Sequence, residues 1–151
     1  MIVDDVVVIA TKGTVVAYAL ADGEMRWHGP DNGKSYSSPH LFTIDGVKQV
    51  VHMHNAGATG FAPSDGKQLW HEPWAGEDRC VQPILTPEGD LLLCGGGMKM
   101  CVRRYSIARE GDGWKLARRW ESRGLKPNHN DSVVHEGHMY GFNGPRLACI
   151  S

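Results

Sequence analysis

One phrase occurs twice in this chain, and it constrains the fold more than any other feature. Ala21-Asp22-Gly23-Glu24-Met25-Arg26-Trp27 returns as Ser64-Asp65-Gly66-Lys67-Gln68-Leu69-Trp70. The displacement is about 43 residues, a period at which structural repeats of a few strands recur. A unit that short cannot bury its own apolar face and must stack on neighbours of the same kind. The phrase therefore speaks to architecture before it speaks to activity.

The chain has 151 residues, the length of one ordinary domain. Hydrophobic residues make up 41% of it, enough for a packed core and too many for a disordered segment. The formal net charge is −1, which argues against a main role on nucleic acid, where a basic excess is the rule. No apolar run approaches the roughly 20 residues that cross a bilayer as a helix. The opening run Met1-Ile2-Val3-Asp4-Asp5-Val6-Val7-Val8-Ile9 has no basic segment before its apolar residues and carries two acids, unlike a signal peptide. It reads as a strand that begins at once. Cys80, Cys94, Cys101 and Cys149 include no CxxC pair of the zinc type. Cys94 and Cys101 flank Gly95-Gly96-Gly97 and are placed to face each other across a hairpin, though burial as isolated thiols is the ordinary fate of cysteine.

Short β-rich runs punctuated by glycine and proline fill the chain: Val6 to Ala10, Val15 to Leu20, Val47 to Met53, Leu91 to Cys94, Met100 to Ile107 and His138 to Phe142. No helical period is sustained anywhere. Asp22-Gly23, Asp45-Gly46, Asp65-Gly66, Glu88-Gly89 and Glu136-Gly137 supply the positive φ that tight hairpins need. The expected class is all-β, a β-propeller of four-stranded antiparallel blades. The units fall at 1–30, 35–74, 79–122 and 129–151. The second and third read as complete, and the first and last as partial. A propeller closes with roughly 4–8 blades. Such a set does not close by itself, so the expectation is a piece of a longer propeller, or a ring completed by a homodimer.

Val15-Val16-Ala17-Tyr18-Ala19-Leu20, followed by the Asp-Gly turn and Trp27, resembles the tryptophan-docking repeat of the PQQ-like (quinoprotein-like) β-propellers. The family's phrase runs Ala-x-Asp-x-x-Thr-Gly-Lys-x-x-Trp. Its Gly-to-Trp spacing is met at Gly23 to Trp27 and at Gly66 to Trp70, and Lys67 falls on its lysine, while Asp22 and Asp65 replace its threonine. The third unit keeps Trp120 without that spacing. The resemblance implies that Trp27, Trp70 and Trp120 dock between blades, where a large flat indole suits the packing. Trp74 and Trp114 are left as core or contact residues. The family includes PQQ- and calcium-dependent alcohol and sugar dehydrogenases, the lipoprotein of the outer-membrane assembly complex, and exported proteins without known chemistry. The vicinal disulfide of those dehydrogenases has no counterpart, since no two cysteines are adjacent. Neither the calcium-binding acid nor the catalytic aspartate of the family can be placed here.

His52 and His54 lie two apart in a strand and share a face, an arrangement that needs a third ligand before it holds zinc or copper. The densest polar stretch is Lys126-Pro127-Asn128-His129-Asn130-Asp131. It leads into a blade's first strand, as do Ser35-Tyr36-Ser37-Ser38 and Glu77-Asp78-Arg79-Cys80. In a propeller such loops lie near the central channel, and the loops at Asn55 and at Gly95-Gly96-Gly97-Met98 are expected on the same face. Tyr36, Asn55, Arg79, His129 and Asn130 are the candidate ligand-binding residues. Gly95-Gly96-Gly97 precedes no helix and is not a phosphate loop, and no serine stands in a G-x-S-x-G setting. The reading favoured by the sequence is a non-catalytic scaffold with a protein or peptide partner, no metal and no cofactor. The alternative is a piece of a PQQ- and calcium-dependent dehydrogenase. A periplasmic or secreted location is implied by the resemblance alone.

Overall fold

The computed structural model describes residues 1–76, 80–95 and 100–151. Its described residues form four antiparallel sheets and no helix. The first sheet has the order β1 (Ile2–Val3), β2 (Val6–Thr11), β3 (Thr14–Ala19), β4 (Met25–His28). The second runs β5 (His40–Ile44), β6 (Val47–His54), β7 (Gly57–Phe61), β8 (Gln68–Pro73). The third comprises β9 (Ile84–Leu85), β10 (Leu91–Cys94), β11 (Val102–Glu110) and β12 (Gly113–Ser122). The fourth has three strands, β13 (Val133–His135), β14 (His138–Asn143) and β15 (Arg146–Ile150). Each is an up-and-down meander of consecutive strands, the blade of an incomplete β-propeller.

Two details differ from the sequence reading. The opening run is a hairpin rather than one strand, because Asp4 turns the chain at φ 51° and separates β1 from β2. The first unit, expected to be partial, consequently has four strands, the short β1 included. Cys94 and Cys101 do not face each other. Cys94 packs with Leu92 and Leu125 toward the fourth sheet, and Cys101 with Leu93 and Tyr105 toward the second.

Burial follows from stacking. β7 is buried along its whole length and β6 over its last six residues, because the second sheet has a neighbour on each face. β14 alternates exposed and buried residues, as a strand covered on one face must. Three apolar clusters fill the spaces between successive sheets. Val8, Ala17, Trp27, Val50 and Phe61 join the first to the second. Val51, Met53, Trp70, Leu91 and Tyr105 join the second to the third. Leu92, Val102, Leu125 and Met139 join the third to the fourth.

The repeated phrase builds the same turn twice. The Gly23 and Gly66 amides donate to the carbonyls of Ala19 and Ala62, each at 3.0 Å. The Glu24 and Lys67 amides are capped by the Asp22 and Asp65 carboxylates at 2.9 and 3.0 Å. Both glycines sit at positive φ, 74° and 71°, which explains the choice of residue. A β-bulge then precedes each tryptophan: the ladder shifts between Ala17 and Tyr18 and between Gly60 and Phe61. The third sheet lacks the phrase, yet it keeps a bulge between Arg104 and Tyr105 beside Trp120.

The cross-strand partners of the tryptophans decide how deeply they pack. Trp27 lies opposite Ala17 and Trp70 opposite Gly60, and both are buried. Trp120 lies opposite Arg104 and is only half-buried. The Trp27 indole covers Gly66 of the second sheet and donates from Nε1 to the Pro63 carbonyl at 2.8 Å. Trp70 donates to the buried Gln49 Oε1 at 2.6 Å. Trp74 is buried with the Arg103 guanidinium 3.9 Å over its ring, and Trp114 lies at the edge of the same cluster.

Candidate functional site

The lead-in loops of the second, third and fourth sheets are tied together at equivalent positions. The buried Ser37 hydroxyl donates to the Val81 carbonyl at 3.3 Å, and the Gln82 amide donates to Asp131 Oδ1 at 2.9 Å. The loop between β6 and β7 joins the same end of the molecule. Its Asn55 amide donates to the Lys34 carbonyl at 2.9 Å, and the Asn55 carbonyl accepts from the Gly76 amide at 3.0 Å. Four polar loops thus share one end of the stack, tied by main-chain groups together with the Ser37 hydroxyl and the Asp131 carboxylate.

Tyr36 is 73% exposed, flanked by Ser35 and Ser37, whose hydroxyls are both spent on main-chain carbonyls. It borders an open cleft of about 330 Å³ walled by Val8, Ala10, Ser38 and Pro39. That size is at the lower end of small-ligand pockets. Asn55 is half-buried, and its side-chain Oδ1 is buried without a hydrogen-bond partner. His129 and Asn130 are exposed in the loop that leads to β13, beside the anchored Asp131. Arg79 lies outside the described residues, as does the 96–99 portion of the Gly95 loop. The loops of Tyr36, Asn55, His129 and Asn130 meet at one end, but among the described residues no hydrogen bond joins these side chains to one another.

The histidine pair acquires a third member that spacing in the sequence does not reveal. Register places His52 opposite Thr59 and Thr59 opposite His71, across three strands. The Thr59 hydroxyl bridges His54 Nε2 at 2.8 Å and His71 Nδ1 at 2.9 Å, and those two rings stack 5.6 Å apart. The rings are joined through a hydroxyl and do not converge on a common point. Among the described residues no group of three or more His, Cys, Asp or Glu is arranged to hold a metal. His52 is fully buried, and neither ring nitrogen makes a well-formed hydrogen bond. Desolvation holds its pKa down at about 4, against a weaker upward pull from the Ser37 backbone. It is neutral at physiological pH.

No carboxylate cluster lies at the lead-in loops among the described residues, where Asp131 accepts the Gln82 amide; Glu77 and Asp78 lie outside the described residues. The strongest described ion cluster is elsewhere. The buried Asp90 binds Arg104 Nε at 2.6 Å and Arg119 Nε at 2.9 Å on the outer strands of the third sheet. A buried acid shared by two arginines ties β11 and β12 of the third sheet to the turn before β10.

No family model and no curated protein sequence matches the chain. Among solved structures, the crystal structure of BamB from Moraxella catarrhalis is similar, with a TM-score of 0.59 at 17% sequence identity. The match covers 96% of this chain and 40% of that one, so the chain spans less than half the length of the structure it resembles. At that identity the likeness concerns the fold, a β-propeller. No helix among the described residues is long and apolar enough to cross a membrane.

Proposed function

We propose that this chain is a PQQ-like β-propeller scaffold without catalysis of its own, which holds a protein or peptide partner on its lead-in-loop face. The observation that carries the reading is the tie between successive loops, Ser37 to Val81 and Gln82 to Asp131. It supports a pre-formed polar rim in which Tyr36, His129 and Asn130 stand exposed on an ordered base. Such a rim loses little conformational entropy on binding, and exposed tyrosine is enriched among interface anchors.

Site-specific photo-crosslinking tests the proposal. A photoreactive residue at Tyr36 and another at His129 are expected to trap the same discrete protein, with none trapped from Lys115 on the distant β11–β12 hairpin. Different adducts from the two loop positions, or equal trapping at Lys115, would refute a shared face. Reduction of an electron acceptor by alcohol or sugar after addition of PQQ and calcium would replace the scaffold by an enzyme.

A further inference from the structure

The two ends of the sheets carry opposite charge, and topology separates it. One end holds the turns between first and second strands and between third and fourth strands. Asp5, Asp22, Glu24, Asp45, Asp65 and Asp112 stand exposed in those turns of the first three sheets. The other end holds the lead-in loops and the turns between second and third strands. Lys12 follows β2 there, Lys34 lies in the loop to β5, and Arg123 and Lys126 lie in the loop to β13, all exposed.

At the lead-in end the described acids are already engaged, and three lysines are not. Asp31 and Asp131 accept the Gly33 and Gln82 amides, each at 2.9 Å. Glu72 and Glu121, near the ends of β8 and β12, are held by the Tyr105 hydroxyl at 2.9 Å and by Arg103 at 2.8 Å. Arg123 lies within electrostatic reach of that same Glu121. Lys12, Lys34 and Lys126 form no ion pair with a described residue. Glu77 and Asp78 lie outside the described residues, as do Arg79 and Lys99, which match them in charge.

The ties between loops spread these cations instead of gathering them. The β2–β3 turn lies against the loop of Lys34 so closely that a Cβ on Gly13 would strike the Gly33 carbonyl. The Lys34 carbonyl accepts the Asn55 amide at 2.9 Å, and the Lys126 amide donates to the Phe142 carbonyl at 2.8 Å. Tyr36, Asn55, His129 and Asn130 stand on the same loops. Separate ammonium groups among hydroxyl and amide side chains suit carboxylates on an extended chain, whose main chain meets the polar groups. A nucleic acid calls for a denser array, because its affinity rests on many neutralised phosphates, and an anionic membrane calls for a contiguous basic run.

We infer that the partner of the lead-in-loop face is an acidic extended segment, its carboxylates set against Lys12, Lys34 and Lys126. This rests on the proposed scaffold reading and adds the chemistry of the partner. The acidic turns at the opposite end steer such a segment, since their field repels carboxylates there and the lysines attract them here.

The test measures binding to the 151-residue chain by fluorescence anisotropy, with a labelled peptide alternating Glu and Ser and a neutral counterpart alternating Gln and Ser. The acidic peptide is expected to bind and the neutral one is not, and added salt should weaken the complex, because exposed charges are screened. Lys34→Glu with Lys126→Glu should weaken acidic-peptide binding at least about tenfold. Lys48→Glu with Lys115→Glu, the same change of charge at the opposite end, should leave it within about twofold. All four lysines are exposed, so the variants keep the fold. Equal binding of the neutral peptide, or no loss in the Lys34, Lys126 pair, overturns the inference. So does tighter binding of a uridine oligonucleotide or of phosphatidylcholine vesicles carrying phosphatidylserine, which would assign the face to another polyanion. Photo-crosslinking keeps the two proposals apart. A protein trapped from Tyr36 and His129 equally well after Lys34→Glu and Lys126→Glu overturns the acidic partner and leaves the scaffold reading standing. Lysine-dependent binding of the acidic peptide, with no protein trapped from either position, supports the acidic specificity and removes the scaffold reading.

Discussion

Gly66 and Gly23 offer a matched pair of perturbations that isolates inter-sheet docking from turn chemistry. Both occupy the same turn, follow an aspartate, and sit at φ 71° and 74°. A Cβ on Gly66 would meet Trp27 Cε3 at 2.5 Å and Cδ2 at 2.6 Å, whereas one on Gly23 would meet nothing within 4 Å. Gly23→Ala therefore carries only the left-handed backbone cost, roughly 1–2 kcal/mol. Gly66→Ala carries the same cost plus an overpacking term of about 1–3 kcal/mol. The indole cannot swing aside freely, because its Nε1 would lose the 2.8 Å bond to Pro63. Effects on the unfolded chain cancel between the two variants. Urea melts and thermal scans are the assay, and a chain of this size loses roughly 2–4 °C per kcal/mol. Gly66→Ala should melt several degrees below Gly23→Ala. Equal losses, or a larger loss at Gly23, would refute the docking role assigned to Trp27.

Other expectations follow from the same contacts. Trp70→Ala, deeply packed opposite Gly60, should cost about 3–5 kcal/mol; Trp120→Ala, half-buried opposite Arg104, should cost clearly less, and chemical denaturation ranks them. The depressed pKa of His52 makes stability fully present above about pH 6.5, its unfolded value, and lost as pH falls toward about 4. The loss reaches on the order of 3 kcal/mol. His52→Gln should flatten that slope between pH 6.5 and 4.5, and an unchanged slope would remove His52 from the account. Asp90→Ala leaves Arg104 only the 3.4 Å pair with exposed Glu88 and should destabilise by roughly 1–3 kcal/mol, while Arg119→Ala, from an exposed arginine, should fall within about 1 kcal/mol. Tyr105→Phe removes the 2.9 Å bond to Glu72 across the second and third sheets and should cost roughly 0.5–1.5 kcal/mol.

Much of the architecture was legible because it is local. The Asp-Gly turns require positive φ and small side chains, so glycine at positions 23 and 66 announces hairpins wherever they pack. The same holds for β10, whose sequence bounds, Leu91 to Cys94, coincide with those of the strand. The candidate loop residues were chosen by their place in the repeat, since a loop that leads into a first strand returns to the same end in every unit. The bonds that tie those loops, Ser37 to Val81 and Gln82 to Asp131, were not legible, because they join residues 44 and 49 apart with no sequence signature.

The sequence by itself determined an all-β repeat and its turn positions, because turn chemistry and strand alternation act over a few residues. Tertiary structure decided how those parts meet. It brought His71 to His54 through Thr59, and buried Trp70 over a glycine while leaving Trp120 half-exposed beside Arg104. The physical reason is register. A strand fixes which side chains share a face, but the choice of neighbour across the ladder, and of the sheet stacked upon it, comes from contacts distant in the chain.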